Sequence, residues 1–246
     1  MDELVLRGII IRQTNYGEAH RMLTIFTAES GIVKAVRYGV RGKKSSNAAA
    51  FQMLCYGDFK LRPSGGGIMT AVSADVIDGF YPVSEDIVKL SLLAYLSDIT
   101  YRLLGEGNPD KRILSLFLNT VYAAAYRNEP LMKLKAVYEL KLMSAGGYMP
   151  NLSSCCVCGG DGLFFSCDKG ELFCREHHNA GDKRVESDIL QLMRYITHCE
   201  DKKMLSFAVS DEGVYNTLNE ITEKYVSVHC DKTFSSLYYF KAMLEM

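Results

Sequence analysis

The sequence contains no tryptophan, only five prolines, and no long apolar segment among its 246 residues. A membrane-spanning helix needs about 18 or more consecutive apolar residues, and no run of that kind occurs. The first residues, MDELVLRG, include acidic side chains and are not followed by the apolar stretch of a secretory signal peptide. We therefore expect a cytoplasmic protein without a membrane segment.

A large excess of charge is also missing, because 28 basic and 29 acidic residues leave a net charge of -1. This balance excludes a protein that coats nucleic acid with a uniformly basic surface. The charge is nevertheless unevenly distributed. Residues 1–80 contain ten basic and seven acidic residues, a net charge of +3, whereas residues 81–246 contain 18 and 22, a net charge of -4. The N-terminal part is therefore the candidate for contact with a polyanion.

Basic residues are concentrated between positions 34 and 62, where Asp58 is the single acidic residue. We predict that they neutralise phosphate groups of DNA and that Tyr38, beside the basic segment 39–50, stacks on a base. A solvated basic surface with ordinary core aromatics would give the same pattern, and charge alone does not separate the two. The predicted DNA-binding residues are Lys34, Arg37, Tyr38, Arg41, Lys43, Lys44, Lys60 and Arg62.

Hydrophobic periodicity divides the chain into a strand-rich part and a helical part. Short β-rich runs separated by turn residues predict strands at 4–13, 21–27, 32–38, 51–62 and 68–78, which indicates a small five-stranded barrel. After Pro82 the period becomes helical, with Ser84 as the expected N-cap of the first helix. Further helices are predicted at about 110–127, 130–145, 187–198, 211–228 and 233–245.

Eight cysteines in a cytoplasmic chain favour metal ligands or buried thiols over disulfides, and five of them lie between 155 and 174. Cys155 and Cys158 form a Cys-x2-Cys pair, and Cys174 and His177 form a Cys-x2-His pair. Two short pairs of sulfur and nitrogen donors are typical of a closed tetrahedral zinc site. We predict a structural Zn²⁺ with these four ligands, with His178 as the alternative to His177.

Other uses of these cysteines fit the pattern less well. A redox-active Cys-x2-Cys pair usually begins a helix after a strand, whereas Cys155 follows a helix and the segment GYMP. A catalytic zinc usually has three protein ligands, a water molecule and a nearby base. A zinc- or thiol-dependent enzyme stays open as an alternative function, as does a protein–protein adaptor whose barrel does not touch DNA.

Two segments carry a family resemblance. The first, YGEAHRMLTIFTAESGIVKAVRYGVRGKKS, combines a Tyr-Gly-Glu turn, a Leu-Thr-x-Phe-Thr strand, a glycine hairpin and a basic loop. The second, YELKLMSAGGYMPNLSSCCVCGG, joins a helix to Gly-Tyr-x-Pro and then to Cys-x2-Cys-Gly. Over nearly its whole length the chain resembles the RecO family of bacterial DNA repair proteins, which are recombination mediators. Many relatives have a second Cys-x2-Cys pair where this chain has Cys174 and His177.

The resemblance implies an α+β multidomain protein, with an N-terminal five-stranded OB-fold β-barrel at 1–80. An α-helical domain at 81–246 follows, with an inserted zinc-finger-like module at about 152–180. It also implies a non-enzymatic, nucleoid-associated mediator that binds single- and double-stranded DNA and anneals complementary strands. The implied partners are RecR, the acidic C-terminal tail of the single-stranded DNA-binding protein SSB and, indirectly, the recombinase RecA.

Overall fold

The structure, a computed structural model, describes residues 3–39, 48–209 and 212–246. Its internal contacts divide the chain into two compact units. The first unit comprises Met1–Arg127 together with Ser236–Met246, and the second comprises Asn128–Ser235. The predicted boundary at 80/81 marks the end of the strand-rich part and does not coincide with these units, so it stays a prediction about domains.

The first unit begins with a closed barrel of five strands in the order β1-β2-β3-β5-β4, with β4 returning to pair with β1. Neighbouring strands are antiparallel except β3 and β5, which run parallel. This architecture confirms the predicted barrel and has the five-stranded order of an OB-fold. The strands are β1 (Leu4–Tyr16), β2 (His20–Thr27), β3 (Gly31–Arg37), β4 (Tyr56–Pro63) and β5 (Met69–Asp78).

Alternation along the strands fills the barrel with apolar side chains. Leu23 and Ile25 of β2 and Phe59 and Leu61 of β4 point inward and are fully buried, because successive residues of a strand face opposite sides. Phe51 adds a further ring from a one-turn helix, Ala48–Phe51. That helix and the turn after it replace the first residues of the strand predicted at 51–62, so β4 begins only at Tyr56.

Four helices complete the first unit: α1 (Tyr81–Ser84), α2 (Ile87–Leu104), α3 (Lys111–Tyr126) and, after the second unit, α7 (Ser235–Leu244). The prediction that Ser84 caps the first long helix is wrong. Ser84 ends α1, where its hydroxyl donates to the carbonyl of Tyr81. Asp86 is the cap of α2, because its carboxylate accepts from the backbone N–H groups of Val88 and Lys89 at 2.9 and 3.0 Å.

The second unit is built around α4 (Leu131–Ala145), which is buried over most of its length. It packs against α5 (Ser187–His198) and α6 (Glu212–His229). Between α4 and α5 the chain forms a small sheet of order β6-β8-β7-β9. Its strands are β6 (Asn151–Cys155), β7 (Phe164–Ser166), β8 (Glu171–Phe173) and β9 (Lys183–Arg184). This sheet coincides with the predicted cysteine-containing module. Among the helices in the described residues, none is long and apolar enough to cross a membrane.

Candidate metal centre and nucleic-acid interface

The small sheet brings two pairs of metal-binding side chains together. Cys155 ends β6 and Cys158 lies in the turn after it, while Cys174 directly follows β8 and His177 lies in the next turn. Because β6 and β8 are neighbouring strands, their two ends present both pairs at one place. The four ligand atoms all lie within 4.8 Å of one another. The four residues predicted from spacing therefore form one cluster that could hold a metal ion.

The separations fit a tetrahedral ion. Sγ of Cys158 and Sγ of Cys174 are 3.8 Å apart, and Zn–S bonds of about 2.3 Å give a tetrahedral S–S edge of about 3.8 Å. Nδ1 of His177 lies 3.8 Å from Sγ of Cys155 and 3.1 Å from Sγ of Cys174. These two values lie on either side of the S–N edge of about 3.6 Å that the usual zinc bond lengths give. Nδ1 is thus the ring nitrogen of His177 that faces the cluster.

The backbone around Cys155 favours the thiolate form that a metal requires. Burial raises the pKa of the Cys155 thiol, but the N–H groups of Cys158, Val157 and Cys174 point at its sulfur and lower the pKa to about 6. Metal ligation needs the deprotonated sulfur. The turn that supplies the N–H groups of Val157 and Cys158 is closed by the N–H of Gly159, which donates to the carbonyl of Cys155 at 2.9 Å.

One glycine in the module is required by close packing. A Cβ atom on Gly162 would lie 2.6 Å from the Cβ atom of Leu172. Leu172 is the fully buried central residue of β8, paired with Phe165 of β7. A side chain at position 162 would therefore displace the strand that leads to Cys174. The glycine fixes the distance between the two ligand pairs rather than supplying a ligand.

His178, the predicted alternative ligand, lies outside the cluster. Its ring stacks on Phe164 with centroids 3.8 Å apart and an angle of 7° between the planes. Its Nδ1 lies 3.2 Å from the carbonyl oxygen of Asn179. The two spare thiols differ in setting, since Cys156 is exposed whereas Cys167 is buried. Burial raises the pKa of Cys167 to about 11.

The second candidate site is the end of the β1–β2–β3 part of the barrel, where one face carries three rings. Tyr16 of β1 is directly opposite His20 of β2, so their side chains share a face. The ring of His20 contacts Tyr38, just after β3, edge-on at 4.7 Å between centroids. Tyr16 and Tyr38 are 45% and 49% exposed. We call these three residues the aromatic row.

The opposite face of the same strands carries two arginines. Arg21 of β2 and Arg37 of β3 are direct cross-strand partners. Arg21 directly follows His20 in the sequence, and Arg37 directly precedes Tyr38. Arg37 lies over the ring of Phe51, 4.7 Å from its centroid. It also donates to the carbonyls of Ala71 and Val72 at 3.2 and 2.8 Å. We call Arg21 and Arg37 the arginine pair.

Three other predicted DNA-binding cations have carboxylate partners. Lys34 contacts Glu106 at 2.5 Å, and hydrogen bonding to Glu106 raises the pKa of Lys34. Lys60 and Arg62 share Glu3, each at 2.7 Å. Hydrogen bonds from these two side chains lower the pKa of Glu3. All three cations are therefore partly neutralised where they lie.

The predicted residues Arg41, Lys43 and Lys44 lie outside the described residues. Phe51 and Phe59, the two phenylalanines of the segment 34–62, are buried in the barrel core. The sequence pattern did not point to His20 and Arg21, because His20 is an isolated histidine and Arg21 lies outside the basic segment 34–62. The signal that could have found them is strand register, since a short hairpin at 28–30 places position 21 opposite position 37.

Comparison with known proteins identifies the family of this chain. The family described as "Recombination protein O N terminal" matches residues 1–80, and "Recombination protein O C terminal" matches residues 84–237. The chain belongs to the RecO family. The resemblance predicted from the two sequence segments is thereby confirmed.

The similar proteins found carry the same family name. The chain is 32% identical to the DNA repair protein RecO of Acetivibrio thermocellus, over 99% of this chain and 98% of that protein. It is 30% identical to the RecO protein of Alkaliphilus metalliredigens, over 94% and 95% of the two chains. The RecO protein of Caldicellulosiruptor saccharolyticus is 24% identical over 96% of both. A role in DNA repair follows for this chain from its family.

Proposed function

We propose that this protein is a non-enzymatic mediator that binds single- and double-stranded DNA and anneals complementary strands. With RecR it would help to load RecA onto single-stranded DNA covered by SSB, in the cytoplasm and close to the nucleoid. The observation that carries the proposal is the end of the barrel, where half-exposed rings lie on one face and an arginine pair on the other. Membership of a DNA repair family supports the same conclusion.

The proposed mechanism of annealing is electrostatic. Two DNA strands repel each other through their phosphates, and cations that neutralise those phosphates lower the repulsion while base edges stay free to pair. Arg37 would neutralise phosphates together with Arg41, Lys43 and Lys44. Lys34, Lys60 and Arg62 would add to this neutralisation, although each has a carboxylate partner in the structure. Tyr38 would stack on a base.

The cysteine cluster is proposed to hold one structural Zn²⁺. Its ligands would be Cys155, Cys158, Cys174 and Nδ1 of His177, a set of four protein donors that is typical of structural rather than catalytic zinc sites. The ion would fix the two turns relative to each other. The thiol-dependent alternative has less support, because the arrangement of four converging ligand atoms fits metal ligation better than exchange between two thiols.

A groove in the second unit is the proposed site for the acidic tail of SSB. It has a volume of about 780 Å³ and lies between the start of β6 and α5, with Met149, Leu152 and Tyr195 among its lining residues. Arg194 supplies a cation in the wall, where its guanidinium donates to the carbonyls of Leu152 and Ser153. An apolar groove with one cation suits a short peptide that combines acidic and apolar side chains.

Fluorescence anisotropy with a peptide of the SSB tail tests this groove. Gln191→Glu adds a negative charge to the lining without removing a hydrogen bond of Arg194. We expect it to weaken peptide binding severalfold and to leave oligonucleotide binding unchanged. Equal binding of the peptide to both proteins would place the tail elsewhere.

An annealing assay on complementary oligonucleotides, with and without SSB, tests the main proposal. If about five phosphates are neutralised, the logarithm of the single-strand affinity should fall with a slope of about -3.5 against the logarithm of salt concentration. Affinity should then drop roughly a hundredfold between about 50 and 200 mM salt. Replacement of Arg37, Arg41, Lys43 and Lys44 by glutamine should abolish most of this dependence. Unchanged affinity in that variant would refute the assignment.

The adaptor alternative has one observation in its favour. Lys34, Lys60 and Arg62 already have carboxylate partners, as they would on a surface that does not bind DNA. In that case the wild-type protein would give no salt-sensitive binding to single-stranded DNA, while binding to RecR would persist. The same titration therefore distinguishes the two functions.

A further inference from the structure

The arginine pair places two like charges directly opposite each other on neighbouring strands. Cross-strand partners have Cβ atoms about 5 Å apart, and like charges in that position destabilise a sheet. Arg37 is fixed by the Phe51 ring and by two backbone carbonyls. Within the part of the chain that the structure describes, Arg21 has no carboxylate, carbonyl or aromatic partner. The repulsion is therefore uncompensated within the described residues.

Arg7 and Arg12 of the same barrel, unlike Arg21, have carboxylate partners among the described residues. Arg7 of β1 is directly opposite Asp58 of β4, and its guanidinium forms two parallel hydrogen bonds to that carboxylate at 2.7 and 2.8 Å. Arg12 is likewise paired, with Asp98 at 2.5 Å. With Arg37 and with Arg62, which contacts Glu3, four arginines of the barrel have anchored side chains, and Arg21 is the exception among those in the described residues.

From these observations we infer that Arg21 is a phosphate ligand of single-stranded nucleic acid and acts with Arg37 as a two-arginine clamp on one phosphodiester. The inference rests on the proposed function and adds to it a residue outside the basic segment. An anion between the two guanidinium groups removes their repulsion, and each planar group can donate two hydrogen bonds to phosphate oxygens. Arg37 is positioned by its internal contacts, and Arg21, for which the described residues provide no such contact, can close on the ligand.

The clamp also defines where the strand lies on the barrel. Glu3 and Asp58 neutralise the outer face of β1 and β4, where Lys60, Arg62 and Arg7 lie. The arginine pair has no such carboxylate among the described residues. A phosphate backbone would therefore meet its strongest contact at the β2–β3 end. Arg21 should contribute more to affinity than Lys60 and Arg62 together.

The test compares Arg21→Gln with Arg7→Gln, a control that removes the same charge from the same barrel. The probe is a fluorescent oligothymidylate of about 16 nucleotides, the upper end of the site size of one such barrel. We expect Arg21→Gln to weaken binding about tenfold and to make the salt slope less steep by about 0.7, the value for one lost phosphate contact on a single strand. Arg7→Gln and the double variant Lys60→Gln/Arg62→Gln should each change affinity less than Arg21→Gln does.

A stability measurement distinguishes a ligand-binding role of Arg21 from a purely structural one. Because Arg21→Gln removes a repulsion and, within residues 3–39, 48–209 and 212–246, no hydrogen bond, its unfolding midpoint should equal or exceed that of the wild type while its affinity falls. Arg21→Lys should keep the salt slope and lose part of the affinity, since an ammonium group cannot donate in a fork. Equal affinity and slope in Arg21→Gln and the wild type would overturn the clamp alone. A wild-type protein that does not bind the probe would overturn the clamp and the DNA-binding function together.

Discussion

In helix α4, Lys135 is fully buried, and its ammonium group contacts Glu139, Glu223 and Asn219 at 2.9 to 3.1 Å. At the end of the barrel, Arg21 is only partly buried and faces a second arginine. Lys135 is thus surrounded by acceptors from α4 itself and from α6, whereas the described part of the barrel places the cation of Arg21 next to another cation. The first arrangement can only hold the fold together. The second can accept an anion from outside.

The other two buried lysines of α4 also have acceptors around their ammonium groups. Lys133 donates to Glu129 and to the carbonyls of Leu205 and Phe207 at 2.7 to 2.9 Å. Lys141 contacts Asp201 at 3.0 Å and the carbonyl of Cys199. These lysines attach the segment 199–207 to the central helix. A basic residue of the second unit therefore indicates a ligand site only when its partners within the protein are known. Variants in the two regions test this difference.

The largest effect is expected at the metal centre. His177→Ala should reduce the zinc content from about one ion per chain to nearly none, and amide hydrogen exchange should show loss of protection across β6–β9. His178→Ala is the matched control and should retain the ion, because that ring stacks on Phe164 away from the cluster. Oligonucleotide binding by the barrel should persist in both. Loss of zinc in His178→Ala alone would reverse the ligand assignment.

Removal of the buried cation of α4 should have the next largest effect. Lys135→Met leaves Glu139 and Glu223 without their ammonium partner, and breaking a buried ion pair in this way costs about 3–5 kcal/mol. Urea unfolding measures the change. The double variant Lys135→Met/Glu139→Met should recover part of the loss, because it also removes one of the stranded charges. A loss below about 1 kcal/mol in the single variant would show that the network is hydrated.

A smaller loss of stability is expected when the fixed member of the arginine pair is removed. Arg37→Gln gives up two hydrogen bonds to backbone carbonyls and the contact with Phe51, which together are worth about 1–3 kcal/mol. Thermal unfolding should show this loss in Arg37→Gln and none in Arg21→Gln. Equal midpoints in the two variants would contradict the difference in their partners.

The number of thiols that react fast should rise by three when the metal is removed. Cys156 is exposed and is not a ligand, so it should react first with a disulfide reagent in the metal-bound protein. Chelation should release Cys155, Cys158 and Cys174 as three further fast thiols. Burial raises the pKa of Cys55 to about 11, which keeps this thiol protonated and slow in both states. A Cys156→Ser variant identifies the first thiol, and an unchanged count after chelation would argue against metal ligation.

The smallest effect is expected for the exposed ion pair between Arg7 and Asp58. Both side chains are solvated, and exposed pairs contribute little to stability. The hydrogen bonds from Arg7 lower the pKa of Asp58, so any contribution is present above the pKa of the unfolded chain and disappears as the pH falls through the lowered value. Arg7→Gln should leave the unfolding midpoint at pH 7 unchanged. A clear shift would mean that the pair is more than a surface contact.

The sequence predicted those parts of the fold that depend on local patterns. The β-rich runs separated by turn residues predicted the barrel, and the spacing of Cys155, Cys158, Cys174 and His177 predicted the cluster that could hold a metal ion. The strands β6–β9 were missed because runs of two to five residues carry no clear period. The cap of α2 was misplaced because Ser84 and Asp86 both suit a helix start, and the preceding short helix α1 decides between them.

Features that depend on pairing between distant residues could not be predicted. The segment KLKAVYELK of α4 has the charge pattern of a half-exposed helix, yet Lys135 and Glu139 are buried because Asn219, Thr222 and Glu223 of α6 supply their partners. Arg21 was missed for the same reason. A count of charges along the chain groups neighbours in sequence, whereas the arginine pair arises from strand register.

The return of the last residues to the first unit has a consequence for truncation. The second unit is one continuous segment, Asn128–Ser235, whereas the first also requires Ser236–Met246, in which Phe240 is fully buried. Removal of Ser236–Met246 would therefore leave every residue of the second unit in place and would take the buried Phe240 from the first. A chain shortened in this way should lose stability in the barrel-containing unit, while the unit that holds the cysteine cluster keeps all of its own residues.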